Sequence, residues 1–238
     1  MSGKKSQNSS RDRFSYERKA VESGYRMVAG IDEAGRGPLA GPVVASAVII
    51  RDTGFTERID DSKRLTERMR ERAFIDILER CDVGIGTASV EDIDRMNIYN
   101  ATLLAMKKAV TELRKGAEYL LIDGRMNIPV PQPRTYLVGG EDLSISIACA
   151  SIIAKVFRDR LMMEEDHKYP RYGFRKHKGY GTREHMEAIR AYGLCPIHRK
   201  TFGPFGSLCK AMKNKKNTDT GHGSRDAGHG KRSEGHGL

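Results

Sequence analysis

Asp32 and Glu33 stand side by side in "GIDEAGRGPLAGP", residues 30–42, behind an apolar run and ahead of a turn built from Gly35, Arg36 and Gly37. A third acid, Asp123, closes another apolar run in "LLIDG". Carboxylates at the ends of hydrophobic strands are costly to desolvate unless something positive meets them. If the two strands are parallel neighbours, the acids sit about 4.8 Å apart. At that spacing they repel and call for cations between them. Magnesium takes oxygen ligands and is often held by one or two carboxylates plus substrate phosphates. Two such ions about 3.5–4 Å apart can clamp the attacking and leaving oxygens of a phosphoryl transfer. The plainer reading of an Asp before a Gly is a turn residue. Adjacent strand residues face opposite ways, so Glu33 reaches the same metals as Asp32 only where the strand ends or twists. The glycines permit that, and they let backbone N–H groups approach a phosphate with Arg36 as charged neighbour. The alternative is an ordinary tight turn with Arg36 solvated.

A second stretch, "KYPRYGFRKHKGYGTR" from Lys168 to Arg183, has six Lys/Arg, four aromatics (Tyr169, Tyr172, Phe174, Tyr180) and no acid. Interleaved cations and rings suit a nucleic-acid backbone with base or sugar stacking. A basic surface loop whose rings pack inward has the same composition. Lys63 in "DDSK" adds another candidate phosphate contact.

Strands and helices must position these residues. "RMVAGID" and "PVVASAVII" read as strands joined by the Gly-rich turn, "VGIGTAS" as a third, "AEYLLIDG" as a fourth and "TYLVGG" as a short fifth. Thr66 can cap a helix over "ERMRERAFIDILERC". A helical stretch follows through "NIYNATLLAMKKAVTELRKG". A long Ser/Ala-rich helix is expected at about 143–165, and "TREHMEAIRAYG" ends at Gly193. The order predicts an α/β fold, a mixed sheet flanked by helices. In such sheets sites form beyond the carboxyl ends of strands, which is where Asp32 and Asp123 fall.

The 238 residues suffice for one domain with a core and two tails, read as a disordered basic tail over 1–22, a folded domain over 23–210 and a Gly/His-rich basic tail over 211–238. Net charge is +11, of which +4 lies in residues 1–20 and +3 in residues 211–238, favouring a polyanionic partner. The last tail repeats "GHG" with period seven, placing His222, His229 and His236 in register. It reads as a solvated low-complexity segment, with adventitious metal binding as the alternative. No apolar run is long enough to cross a bilayer, and the N-terminus lacks the apolar segment of a secretory signal. Cys81, Cys149, Cys195 and Cys209 have no paired spacing. Scattered thiols fit a reducing cytoplasm and argue against a zinc site.

Five motifs in this order, "GIDEAGRGPLAGPVVASAVI", "DSKRL", "LLIDG", "ASIIAKVFRDR" and "HKGYGT", closely resemble bacterial ribonuclease HII over about residues 27–204. The resemblance implies a ribonuclease H-like fold with a C-terminal helical extension. It implies cleavage of RNA in RNA/DNA hybrids and of duplex DNA at embedded ribonucleotides, leaving 3′-hydroxyl and 5′-phosphate ends. Mn²⁺ or Mg²⁺ would be the cofactor, nucleic acid the partner, and a cytoplasmic monomer the acting form. Asp32, Glu33 and Asp123 match the family's metal-binding carboxylates. Gly35, Arg36 and Gly37 match the turn that reads the 2′-hydroxyl and neighbouring phosphate, and Tyr180 the tyrosine that packs against the sugar. The 2′-hydroxyl is what separates RNA from DNA at one position. Water would attack in line, with one metal favouring the nucleophile and the other the leaving 3′-oxygen.

The chain departs from the family at the fourth acid. Where an Asp after Gly is usual, it has "GGED", with Glu141 at the aligned position and Asp142 next. Asp142 stands just before the expected helix, where a short carboxylate is a favoured N-cap. That reading gives Glu141 to the metal site and Asp142 to the cap, with the reverse left open. Two competing functions also stand. A resolvase-like DNA endonuclease would keep the carboxylates without a 2′-hydroxyl reader. A non-catalytic RNA-binding protein would have no use for clustered acids.

Overall fold

The structure is a computed structural model that describes residues 12–203 and residue 205. The expectations for residues 1–11 and for the Gly/His-rich tail, including its three histidines and Cys209, lie outside the described residues. One compact unit ends at Arg199 and another begins at Lys200. The sheet and the candidate site belong to the first.

Five strands form one sheet: β1 (Val28–Ala34), β2 (Val43–Ile50), β3 (Cys81–Ala88), β4 (Tyr119–Asp123) and β5 (Arg134–Leu137), in spatial order β3-β2-β1-β4-β5. β1, β2 and β3 pair antiparallel, while β4 runs parallel to both β1 and β5. The mixed sheet is the expected one, and the first and fourth strands are parallel neighbours as its geometry requires. β2 is buried almost throughout, which suits its run of β-branched and small residues between two helical layers.

Helices cover both faces. α2 (Glu67–Arg80) is capped by the Thr66 side chain, which accepts from the Met69 N–H. α3 (Val90–Thr111) begins with a capping box between Ser89 and Asp92. It starts before the expected Asn97, which instead marks a kink with φ 69°. α4 (Ile145–Lys168) is the long Ser/Ala-rich helix. Small residues there allow close approach to the sheet: a Cβ on Gly30 would lie 2.1 Å from the Ser146 carbonyl carbon. Val83 and Ile85 of β3 pack into the same core cluster as residues of α2 and α4. Gly84, between them, faces Ala109 of α3. Alternate strand residues thus serve two helix layers. α5 (Phe174–His177) and α6 (Arg183–Tyr192, stopped at Gly193 as expected) form the extension after α4.

One expectation is corrected. Residues within the stretch read as a disordered tail form α1 (Ser15–Glu22). Glu17 accepts hydrogen bonds from the Ser146 N–H (3.0 Å) and from the hydroxyls of Ser144 and Ser146. Arg13 donates to the carbonyls of Ile59 and Glu141. Charge-assisted hydrogen bonds to the start of α4, together with the packing of Ala20 and Tyr16 with Val28, Leu121 and Ile147, hold this segment. Among the described residues, no helix is long and apolar enough to cross a membrane.

Candidate active site

Ile31 of β1 lies beside Ile122 of β4, so the next step along two parallel strands sets Asp32 beside Asp123. β1 continues two residues past Asp32, to Ala34, so Asp32 lies within the strand rather than at its end. It is only 5% exposed. Glu33 is partly buried and pairs with Arg36 at 3.2 Å. Asp123 accepts from the Gly140 N–H at 2.7 Å. Gly140 opens a short 3₁₀ turn, Gly140–Asp142, that carries Glu141. Glu141 is 8% exposed, takes a hydrogen bond from the Ser151 hydroxyl, and has the Lys63 ammonium 3.4 Å away. Ser62 in turn contacts the Ser151 hydroxyl at 2.9 Å.

This gathering is electrostatically unfavourable by itself. Burial, and then the charges of Glu33, Asp123 and Glu141, raise the Asp32 pKa well above the ordinary carboxylate range. Burial raises that of Glu33 too, with Arg36 opposing. Burial works against the Lys63 ammonium, but Glu141 and Asp61 outweigh it and raise its pKa. Among the described residues, no three His, Cys, Asp or Glu side chains already form a metal cage. The donor set still fits a hard divalent cation that keeps several waters and takes its remaining oxygens from substrate. One buried Glu33 oxygen, Oε2, has no hydrogen-bond partner, and the acids are those whose repulsion a cation would relieve.

At "GGED" the structure corrects the cap. The N-cap of α4 is Ser144, whose hydroxyl accepts from the Ile147 N–H at 3.2 Å. The 3₁₀ turn moves the helix start to Ile145 and leaves Asp142 outside it. Asp142 pairs instead with Arg64 through two bonds of 2.6 and 2.9 Å. That guanidinium holds the Asp142 carboxyl below its usual range. Glu141, and not Asp142, lines the site.

All four acids open onto one cavity of about 280 Å³. Its other lining includes Gly35, Arg36, Gly37, Lys63 and Tyr180, so the acids, the Gly-Arg-Gly turn, the lysine and the tyrosine assigned to the site from the sequence meet there. Gly35 has φ 94°, and a Cβ there would stand 2.0 Å from Nε of Arg158. Only glycine satisfies both constraints. Tyr180 is 45% exposed and faces Gly37, where an added Cβ would lie 3.9 Å from the ring. The other rings of the basic stretch divide: Tyr172 and Phe174 are buried and stack on one another.

Besides Ser62, which also lines the cavity, the sequence reading missed four polar residues here. Ser151, Lys155 and Arg158 line the cavity. Their spacing of four and three within a helix puts them on one face, a signal already present in "ASIIAKVFRDR". The fourth, Arg199, is fully buried behind the Gly-Arg-Gly turn. It had no signal, because "HRK" reads as a plain basic stretch.

A family model described as Ribonuclease HII matches residues 29–204. Ribonuclease HII of Geobacillus kaustophilus is 54% identical over 200 residues, covering 83% of this chain and 76% of that protein. Ribonuclease HII of Acetivibrio thermocellus is 53% identical over 188 residues, covering 79% and 73%. The crystal structure of ribonuclease H2 from Pyrococcus horikoshii OT3 superposes with a TM-score of 0.67 at 24% identity, covering 79% of this chain and 99% of that one. The fold is therefore ribonuclease H-like, and with the family model spanning most of its length the chain belongs to the ribonuclease HII family.

Proposed function

We propose that this protein hydrolyses RNA in RNA/DNA hybrids and incises duplex DNA at embedded ribonucleotides by a two-metal-ion reaction leaving 3′-hydroxyl and 5′-phosphate ends. The observation that carries this reading is the meeting of four carboxylates with the Gly-Arg-Gly turn and Tyr180 around one cavity. Acids alone would serve many phosphoryl-transfer sites. A glycine turn facing a tyrosine adds a slot in which one sugar can be read.

In this reading Asp32, Glu33 and Asp123 hold the divalent ions, Mn²⁺ or Mg²⁺, and Glu141 completes the acidic ring. The cations supply activation of water and stabilisation of charge on the leaving oxygen. Backbone groups of Gly35 and Gly37 read the 2′-hydroxyl, Arg36 meets the neighbouring phosphate, and Tyr180 packs on the sugar. Lys63, already against Glu141, contributes positive charge at the phosphate. No nucleophilic serine or cysteine is required. The three described cysteines are unpaired, which supports a reducing, cytoplasmic setting.

The test uses duplex DNA carrying one ribonucleotide and an otherwise identical all-DNA duplex, each with and without Mn²⁺ or Mg²⁺. Cleavage only beside the ribonucleotide, only with the cation, and with a ligatable 5′-phosphate supports the reading. Equal cleavage of the all-DNA duplex points to a general DNA endonuclease and sinks it.

A further inference from the structure

Two arginines with no assigned role are almost completely buried at the cavity: Arg158, at 1% exposure, lines it, and Arg199, at 0%, lies behind the Gly-Arg-Gly turn. Buried arginines are rare unless paired, and these donate to a set of main-chain carbonyls. Arg199 reaches the carbonyls of Arg36 (2.9 Å), Gly35 (2.5 Å), Gly41 (2.8 and 3.0 Å) and Pro42 (3.3 Å). Arg158 reaches those of Pro42 (3.0 Å), Ala40 (3.1 Å) and Lys178 (3.0 Å). A guanidinium has five donors in a rigid planar fork, so it can hold several carbonyls at fixed angles where a lysine cannot.

The direction of these bonds matters. In a trans peptide the C=O of one residue and the N–H of the next point opposite ways. Pinning the Gly35 carbonyl inward turns the Arg36 N–H outward. Pinning the Arg36 carbonyl does the same for the Gly37 N–H. Arg158 meanwhile spans two loops, bonding Ala40 and Pro42 on one and Lys178 on the other. Leu39 N–H to Gly179 carbonyl, at 2.8 Å, ties the same two loops. One loop carries the Gly-Arg-Gly turn and the other leads into Tyr180.

We propose that Arg158 and Arg199 are positioning residues for ribonucleotide recognition: they orient the amides of the Gly35–Gly37 turn toward the cavity and fix that turn relative to Tyr180. This rests on the proposed reading of the turn and Tyr180 as the ribonucleotide sensor. The consequence is selective. A duplex with one ribonucleotide offers a single competent register, so a displaced sensor loses it. A long RNA/DNA hybrid offers a 2′-hydroxyl at every position and tolerates a shifted register.

The test compares wild type with Arg158→Lys and Arg199→Lys, measuring kcat and KM on both substrates and mapping cut positions well below each protein's melting temperature. The wild type must first cut only beside the ribonucleotide; if it does not, the sensor reading fails before the inference is reached. The expected result is a loss on the single-ribonucleotide duplex at least tenfold greater than on the hybrid, with scattered cut positions. Equal losses on both substrates would mean the arginines only hold the fold together, and would overturn the proposal. Should neither variant fold, backbone ¹⁵N relaxation of the wild-type protein decides. Rigid amides from Gly35 to Gly37 before substrate is added, with order parameters near about 0.85, are expected. Amides that order only on adding the duplex would overturn it.

Discussion

The carboxylate wall and the guanidinium wall of the cavity both bury charge, but they settle its cost differently. On the guanidinium wall, Arg158 and Arg199 spend their donors on carbonyls of the protein itself. Burial lowers both pKa values, that of Arg199 to about 9, which still leaves Arg199 charged at neutral pH. On the carboxylate wall, Asp32 is pushed up by burial and by the charges of Glu33, Asp123 and Glu141, Glu33 is pushed up by burial against the opposing Arg36, and a Glu33 oxygen has no partner. One wall is compensated from within and suits a rigid template. The other is left short of positive charge and suits an incoming cation. Strain of this kind, held in place by the surrounding fold, is expected where chemistry is done.

The largest expected effect comes from the carboxylate wall. Asp123→Asn keeps size and the hydrogen bond from Gly140 within reach but removes a charge, and cleavage should fall to near background with the fold retained. Full activity would break the assignment of this wall. Glu141→Gln should cut turnover strongly at little change in stability. Its neighbour sharpens the contrast: Asp142→Ala loses only an exposed ion pair with Arg64, worth up to about 1 kcal/mol. It should leave cleavage within a few-fold of wild type. Abolished cleavage in Asp142→Ala with an active Glu141→Gln would reverse the two roles.

Gly37→Ala probes the space between the walls. A methyl there meets the Tyr180 ring at ordinary contact distance, so the melting temperature should stay within a few degrees. It intrudes on the slot proposed for the sugar, so KM for the single-ribonucleotide duplex should rise by about tenfold, roughly 1.4 kcal/mol. An unchanged KM would take Gly37 out of the sensor.

The smallest expected effect concerns pH and the scaffold behind Tyr180. His185 Nδ1 donates to the Tyr180 carbonyl at 2.9 Å, and its Nε2 meets His198 Nε2 at 3.0 Å. Cys195 N–H donates to Nδ1 of His198 at 2.9 Å. The pattern closes with both rings neutral. Burial lowers both pKa values, that of His185 to about 4. In the unfolded chain these imidazoles titrate near about 6.5. Between those values the unfolded chain binds protons that the native state refuses, so stability falls as pH drops from about 6.5 toward 4. Melting curves of His185→Gln, which cannot titrate, should show a weaker acid slope than wild type. An identical slope would remove His185 from the acid sensitivity.

Much of this was legible in the sequence because the decisive signals are local. The apolar runs ending in Asp32 and Asp123 fix both strand identity and side-chain exit, and the Gly-Arg-Gly turn declares its own backbone. What stayed hidden depends on distant partners. α1 is held by Glu17 and Arg13 reaching residues more than a hundred positions away, and its polar composition reads as a tail. Asp142 looks like a helix cap, but the left-handed Gly139 (φ 67°) and the 3₁₀ turn after it displace the helix by two residues. Arg199 is indistinguishable from a surface cation until the loop it supports folds around it.

The contrast between the walls is tested most directly by the melting temperature of wild type and Asp32→Asn, each metal-free and with Mn²⁺. A carboxyl whose folded pKa is raised costs stability as pH rises past its unfolded value of about 3.9, so at neutral pH the neutral Asn should stabilise the metal-free protein. A gain of about 1 kcal/mol would appear as roughly 2–4 °C. Mn²⁺ should raise the wild-type melting temperature and have much less effect on the variant. If Asp32→Asn instead melts lower than wild type without metal, and Mn²⁺ stabilises both equally, the carboxylate wall is not held in electrostatic deficit and the comparison fails.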